Sequence, residues 1–425
     1  MLKQLNTHIK LFVFLSLYCV SNFSFSQDIS YAKKVLDTLT SPYFEGRGAI
    51  NDGEKKAAIY IAKEFEKLGV QPFKNSFFQY FNYPINTFYG NLSVAIDGET
   101  LQAGVDFIVG ANSGKIKGTF DLVHYNAANL PSKKTIQKLS KRNFFLNKFI
   151  VIDGANIPSN NETLSLLKIN VVGATGIIFL EDKLTKALAT NYVDYAILKV
   201  KREKIDRKSH SITVIIQQKL LSDYQSQNVI GYIQGTEFPD SLVAITAHYD
   251  HLGRMGGEVY FPGANDNGSG VALMLNFAAH YAQHPPKKTM VFMAFGAEES
   301  GILGSKYFIQ HPLFHLQQLN FLINVDVIGT GEEGLMVVNG VELTTAFEKL
   351  QTINTQHHYV AEIKKRKNAP NSDHYWFIEK GVPAFFIYGL GSRKAYHDVE
   401  DIASTLPMNE FNNIFLLLRD FTDGL

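Results

Sequence analysis

Cysteine is all but missing from this chain. Its 425 residues include one, Cys19, set in an N-terminal apolar run. The remainder can form no disulfide and offers no thiolate to a metal or a substrate, so the fold must rest on its core alone. An excess of either charge is missing too. There are 41 Lys and Arg against 40 Asp and Glu, a formal net charge of +1. That balance excludes a global field to attract nucleic acid or an anionic membrane. The basic cluster Lys364-Lys365-Arg366-Lys367 is short and is expected in a solvated loop. No apolar run reaches the ~20 residues needed to span a bilayer. There is no exact repeat, no low-complexity tract and no His-Glu-x-x-His signature. What is present is ordinary globular material, 45% hydrophobic and 19% charged, long enough for two domains.

The N-terminus has the layout of a secretory signal peptide. Lys3 and Lys10 precede the apolar residues 11–20, and small polar residues follow. Ser24-Phe25-Ser26 suits cleavage before Gln27. Residues 1–26 are therefore expected to be removed and the protein to be exported, periplasmic or secreted, without a transmembrane segment. Lipid attachment at Cys19 is not expected, because Tyr18 stands where such sites need a small residue.

Three textures follow along the chain. Residues 29–69 read as helical, with apolar positions at helical spacing through Ala57-Ala58-Ile59-Tyr60-Ile61-Ala62-Lys63-Glu64-Phe65 and Gly69 as a stop. Residues 91–228 hold short β-rich runs such as Phe149-Ile150-Val151-Ile152-Asp153, separated by turn residues. From 229 strands and helices alternate. Strands are expected at 242–247, 289–295, 321–325 and 384–388, and helices at 268–283 and 300–310. Strands that are apolar throughout argue for an α/β fold, a mixed, mostly parallel sheet covered by helices on both faces. The site of such a fold lies beyond the carboxyl ends of its strands.

The polar residues obey that rule. His248 and Asp250 follow the first of these strands, Glu298 and Glu299 the second, and Asp326 closes the third. Tyr396 and His397 lie in the loop after the fourth, and Asp266 sits in the turn Gly263-Ala264-Asn265-Asp266-Asn267-Gly268 that opens the first helix. Imidazoles and carboxylates are the usual ligands of catalytic Zn²⁺ where thiols are absent. Two histidines and three carboxylates suit two ions sharing one carboxylate, about 3.5–4 Å apart, which lower the pKa of a shared water toward about 7. A carboxylate outside the coordination sphere must then move protons, and one of the pair Glu298-Glu299 can serve.

These segments resemble the M28 family of zinc metallopeptidases, the aminopeptidase Y-like group. The resemblance is carried by Ala247-His248-Tyr249-Asp250-His251-Leu252-Gly253, the glycine-rich 263–270 turn, Phe295-Gly296-Ala297-Glu298-Glu299, Asn324-Val325-Asp326-Val327-Ile328-Gly329, Ser372-Asp373-His374 and Tyr396-His397. It covers residues 30–70 and 229–425, with no departure at ligand positions. The resemblance implies a zinc-exopeptidase-like fold and two Zn²⁺ per chain. His248 and Glu299 are then one-sided ligands, Asp326 and His397 complete the two sites, and Asp266 bridges. Glu298 is implied as general base for a metal-bridging hydroxide, Tyr396 as a hydroxyl that steadies the oxyanion, and Asp250 and Asp401 as partners that orient ligand imidazoles. Substrates are implied to be peptides or small proteins, cut at the N-terminal bond. Residues 27–90 and 229–425 form the catalytic domain, and the β-rich 91–228 resembles a protease-associated (PA) domain insertion. Oligomeric state and side-chain preference are not legible.

Two other functions fit parts of the pattern. A glutaminyl cyclase-like enzyme uses one zinc on a related fold, although the Asp266 loop is closer to the peptidases. A non-catalytic binding protein on this scaffold would be expected to have lost ligands, and none is lost. The other histidines are not read as ligands: His280, His284, His311, His315, His357 and His358 are surface positions, His251 is structural, and His374 is either packing or pocket lining.

Overall fold

The computed structural model describes residues 29–425; the signal-peptide and Cys19 readings lie outside them. The larger of two eight-stranded sheets runs in the order Phe78–Thr87, Lys219–Ile233, Lys288–Phe295, Phe238–His248, Leu319–Asp326, Ala384–Gly389, Leu335–Val338, Ile363–Arg366. The strands ending at Phe295, His248, Asp326 and Gly389 pair in parallel at its centre, and antiparallel strands flank them. This is the expected mixed α/β sheet.

The alternation along the central strands shows why both faces are covered. Val243, Ile245 and Ala247 point into one core, which holds the helices Ile29–Leu39, Gly53–Leu68, Gly270–Gln283 and Phe411–Asp423. Leu242 and Ala244 point into the opposite core, with Phe308 and Phe377 from the helices Leu303–Gln310 and His374–Ile378. Each fully buried Val, Leu, Ile or Phe contributes about 1.5–3 kcal/mol, so the central strands are the rigid part of the molecule. A parallel sheet of this kind brings every strand's carboxyl end to one edge.

The second eight-stranded sheet is built from strands between Leu92 and Ile216; one apolar cluster is its own, and another is shared with Leu252, Met255 and Phe261 beside the larger sheet. The chain re-enters the larger sheet at Lys219, within the stretch grouped by its β-rich texture. Two expectations are corrected. Residues 29–69 are not one helical run: an irregular bridge, Pro42–Asp52, separates two helices, with positive φ at Glu45, Gly46, Arg47, Asn51 and Asp52. Ser41-Pro42 breaks the first helix, and the glycines let the bridge lie against the main chain of the sheet edge; a Cβ on Gly48 would stand 2.4 Å from the Cα of Gly253. The basic cluster is not a loop either. Ile363–Arg366 is the edge strand, and its exposed lysines protect that edge from pairing with another chain.

No helix of the described residues is long and apolar enough to cross a membrane.

Candidate metal centre

The strand Phe238–His248 delivers its last residue into the cluster. His248 is buried, and its Nδ1 lies 3.2 Å from the main-chain oxygen of Asp250. Donating there directs Nε2 at two carboxylates, 3.3 Å from Asp266 and 3.4 Å from Asp326. Asp326 ends its own parallel strand. His397 answers from the opposite side: its Nε2 is 3.0 Å from Asp266 Oδ2 and 3.2 Å from Glu299 Oε2. Asp266 thus stands between the two imidazoles, one oxygen toward each. The structure brings all five expected ligand residues together, with Glu298 adjoining.

Two groups of ligand atoms each lie within 4.8 Å of one another: His248, Asp266 and Asp326, and His251, Asp266 and Glu299. Zinc fits this donor set. The oxygens and imidazole nitrogens are its preferred ligands in a thiol-free site. Asp326 Oδ1 is buried with no hydrogen-bond partner, a costly state that a cation relieves.

The electrostatics agree. Burial disfavours charge on His248, yet the carboxylates of Asp326 and Glu298 and bonds to Asp250 and Asp266 hold its pKa well above the ordinary value. Burial likewise opposes charge on His397, but bonds to Asp266 and Glu299 raise it to about 11. Burial and the charge of Asp266 would raise Glu299, but bonds from His251 and His397 draw it down to about 2. Glu298 goes the other way: burial first, then Asp373, Glu299 and Asp326, lift its carboxyl well above the usual range against the pull of His248. Its side chain makes no hydrogen bond among the described residues, while its N–H and that of Glu299 donate to Asp250 at 3.0 and 3.2 Å.

Several residues stand differently from expectation. Asp401 does not orient an imidazole by hydrogen bond. Its carboxylate accepts the N–H groups of Asn265 and Asp266 at 3.0 Å and so holds the Asp266 loop. Asp250 mainly caps the Glu298-Glu299 turn, with its carboxylate 3.7 Å from His248 Nδ1. His251 is structural in a specific way: its Nδ1 lies 2.7 Å from Glu299 Oε1 and holds that carboxylate. His374 does pack, fully buried against Phe386. Tyr396 is 50% exposed, its ring stacked 3.9 Å from that of His397. His311, His315, His357 and His358 are on the surface as expected.

Arg47 escaped the sequence reading altogether. Wholly buried, it donates to the main-chain oxygens of Tyr249, Leu39, Pro262, Gly263 and Asp266 at 2.6–3.3 Å. It therefore ties the helical N-terminal segment to the loop that carries Asp266. Gly263 (φ 60) permits the approach; a Cβ there would stand 2.6 Å from the guanidinium. The only signal was an arginine between two glycines, Gly46-Arg47-Gly48.

A mixed α/β sheet with imidazoles and carboxylates gathered at the carboxyl ends of its parallel strands is the arrangement of a zinc metallopeptidase. Residues 228–422 match the family described as Peptidase family M28, and the chain resembles the M28 zinc aminopeptidases. It is 28% identical over 378 residues to aminopeptidase YwaD of Bacillus subtilis (strain 168), covering 82% of this chain and 74% of that protein. A probable zinc metalloprotease of Pyricularia oryzae is 36% identical over 222 residues, 46% of this chain and 43% of the other. The fold is that of the solved zinc aminopeptidase BSAP from Bacillus subtilis, with TM-score 0.70 and 23% identity over 92% of this chain and 93% of that one. The solved Peptidase M28 precursor from Shewanella amazonensis SB2B superposes with TM-score 0.68 at 16% identity, over 94% and 93%. Zinc is the cofactor, two ions being typical of the family.

Proposed function

We propose that this chain is an exported di-zinc aminopeptidase that hydrolyses N-terminal peptide bonds. The observation that carries the reading is Asp266, with one oxygen 3.3 Å from His248 and the other 3.0 Å from His397. A carboxylate between two His-carboxylate groups suits a bridge between two ions. In this reading His248 and Asp326 would hold one zinc, Glu299 and His397 the other, and Asp266 would serve both. Bound zinc supplies Lewis acidity, polarising a carbonyl and acidifying water.

The protein's own residues account for the rest. Glu298 takes the proton of the attacking water and returns it to the leaving amine. Its carboxylate makes no hydrogen bond among the described residues, and burial with the neighbouring carboxylates raises its pKa, which favours its carrying a proton. Asp250 holds the main chain of Glu298 so that this carboxylate faces the cluster. Tyr396, beside His397, supplies a hydroxyl to the tetrahedral oxyanion. The names of the relatives support the N-terminal substrate. Residues 27–90 and 229–425 form the catalytic domain, residues 91–228 are a PA-like insertion, and residues 1–26 direct export.

The test combines metal analysis of the purified protein with a panel of aminoacyl reporters and their N-acetylated counterparts. Two zinc ions per chain and cleavage restricted to free amines are expected. One ion per chain, or equal cleavage of the blocked series, sinks the reading.

A further inference from the structure

The two ligand imidazoles are oriented by different parts of the chain. His248 Nδ1 meets a main-chain carbonyl of its own sheet edge, that of Asp250. His397 Nδ1 instead meets the main-chain carbonyl of Lys186, at 3.0 Å, and the Lys186 N–H donates back to the His397 carbonyl at 3.0 Å. Lys186 lies in residues 182–195, the connection between two strands of the second sheet, Gly176–Glu181 and Ala196–Lys201.

That connection is held firmly. Leu184 is buried in the apolar cluster that joins the second sheet to Leu252, Met255 and Phe261. The Lys186 side chain is 2% exposed, its ammonium 5.6 Å from the ring centres of Phe88 and Phe261. Lys199 Nζ donates to the Thr185 carbonyl at 3.0 Å, and Asn86 N–H to that of Ala189 at 2.8 Å. On the other side Lys183 reaches the Lys394 carbonyl and lies 3.8 Å from Asp398. The segment it grips needs holding, because His397 is a non-glycine residue at φ 56.

We propose that the second sheet is a working part of the metal centre: through the Lys186 carbonyl it fixes the ring of His397. A carbonyl can only accept, so Nδ1 carries the proton and Nε2 is left to face Asp266 and Glu299. Lys186 acts here as a positioning residue through its main chain. The inference rests on His397 being a zinc ligand.

The experiment weakens that one acceptor and leaves every side chain unchanged. Replacing Ala187 by lactic acid through nonsense suppression turns the 186–187 amide into an ester, a poorer acceptor; suppression with alanine is the control. The Ala187 N–H that is lost makes no hydrogen bond among the described residues. Zinc affinity is read by competition with a chelating dye, and the His397 ring by ¹⁵N resonances of histidine-labelled, zinc-loaded protein. The expected result is about a tenfold or greater loss of affinity for one ion, with a shifted Nδ1 resonance and an unchanged melting temperature. Lys183→Met, which loosens the same loop from outside, should move affinity in the same direction. Wild-type affinity and an unmoved resonance in the ester variant overturn the proposal. His397→Ala separates the two levels. If it also keeps both ions at wild-type affinity, the ligand assignment itself has failed. If it loses one while the ester variant loses none, only the role of the second sheet has.

Discussion

Glu298 and Glu299 are sequence neighbours with opposite electrostatics. Glu299 receives two imidazoles and is drawn to a pKa of about 2. Glu298 receives none and is pushed up by burial and by the carboxylates around it. A ligand must stay ionised, whereas a proton carrier must be able to gain and lose its proton, so the division of labour follows from which side chain the histidines reach. Glu298→Gln should therefore bind two zinc ions as the wild type does and lose on the order of 10²–10⁴ in kcat. Retention of more than a tenth of wild-type kcat with both ions bound removes Glu298 from the role of base. The members of this cluster were legible because each stands at a strand end or turn in a recognisable segment. Arg47 and His251 were not. Their importance lies in which main-chain oxygens or carboxylates surround them, and that depends on the bridge Pro42–Asp52 folding back onto the sheet edge.

At the scale of elements, the N-terminal segment illustrates the same limit. Helical periodicity announced Gly53–Leu68 clearly, but the reading ran straight through the bridge before it. The break has a physical purpose at its far end, where Glu54 opens the helix. Its carboxyl is buried, accepts Ser226 Oγ of the neighbouring strand at 2.5 Å, and is lifted from 4.5 to about 8, by burial first and then by Asp250. A group with a raised folded pKa stays protonated in the fold where the unfolded chain has already ionised. Its contribution is complete below pH 4.5 and is lost as pH rises through about 8. Glu54→Gln keeps an acceptor for Ser226 and removes the titration. The variant should gain on the wild type between pH 4.5 and 8, by on the order of a few kcal/mol, and the gap should stay level above. Melting temperatures measured across that range check it; a constant difference at every pH contradicts the assignment. The edge strand Ile363–Arg366 was hidden for a different reason: three of its four residues are basic and exposed, so it lacks the apolar alternation that marks a strand.

At the scale of the whole molecule, the metal centre lies where the two sheets meet, beside an apolar cluster that both share. The larger sheet has apolar cores of its own on both faces. The contact between the sheets is different, because one of its links runs through His397 to Lys186. In the zinc-free protein His248 and His397 take up protons to balance Asp266, Glu299 and Asp326, as their raised pKa values require. Zinc removal is thus a local event with a charge change, and its structural cost should fall on the segments that share the cluster. Anything bound only by the native state stabilises it, by about 2.7 kcal/mol at a hundredfold excess over Kd. Chelation should therefore lower the melting temperature and speed amide exchange in residues 182–195 and 393–401. The central strands Phe238–His248 and Leu319–Asp326 should exchange as slowly as before, since their protection comes from the two apolar cores. Hydrogen exchange with and without chelator, read by mass spectrometry, distinguishes the cases. Uniform loosening of both sheets means that zinc holds up the fold as a whole. Unchanged exchange at 182–195 means that the second sheet docks without reference to the metal. Faster exchange confined to the two shared segments means that the ions hold the second sheet against the first.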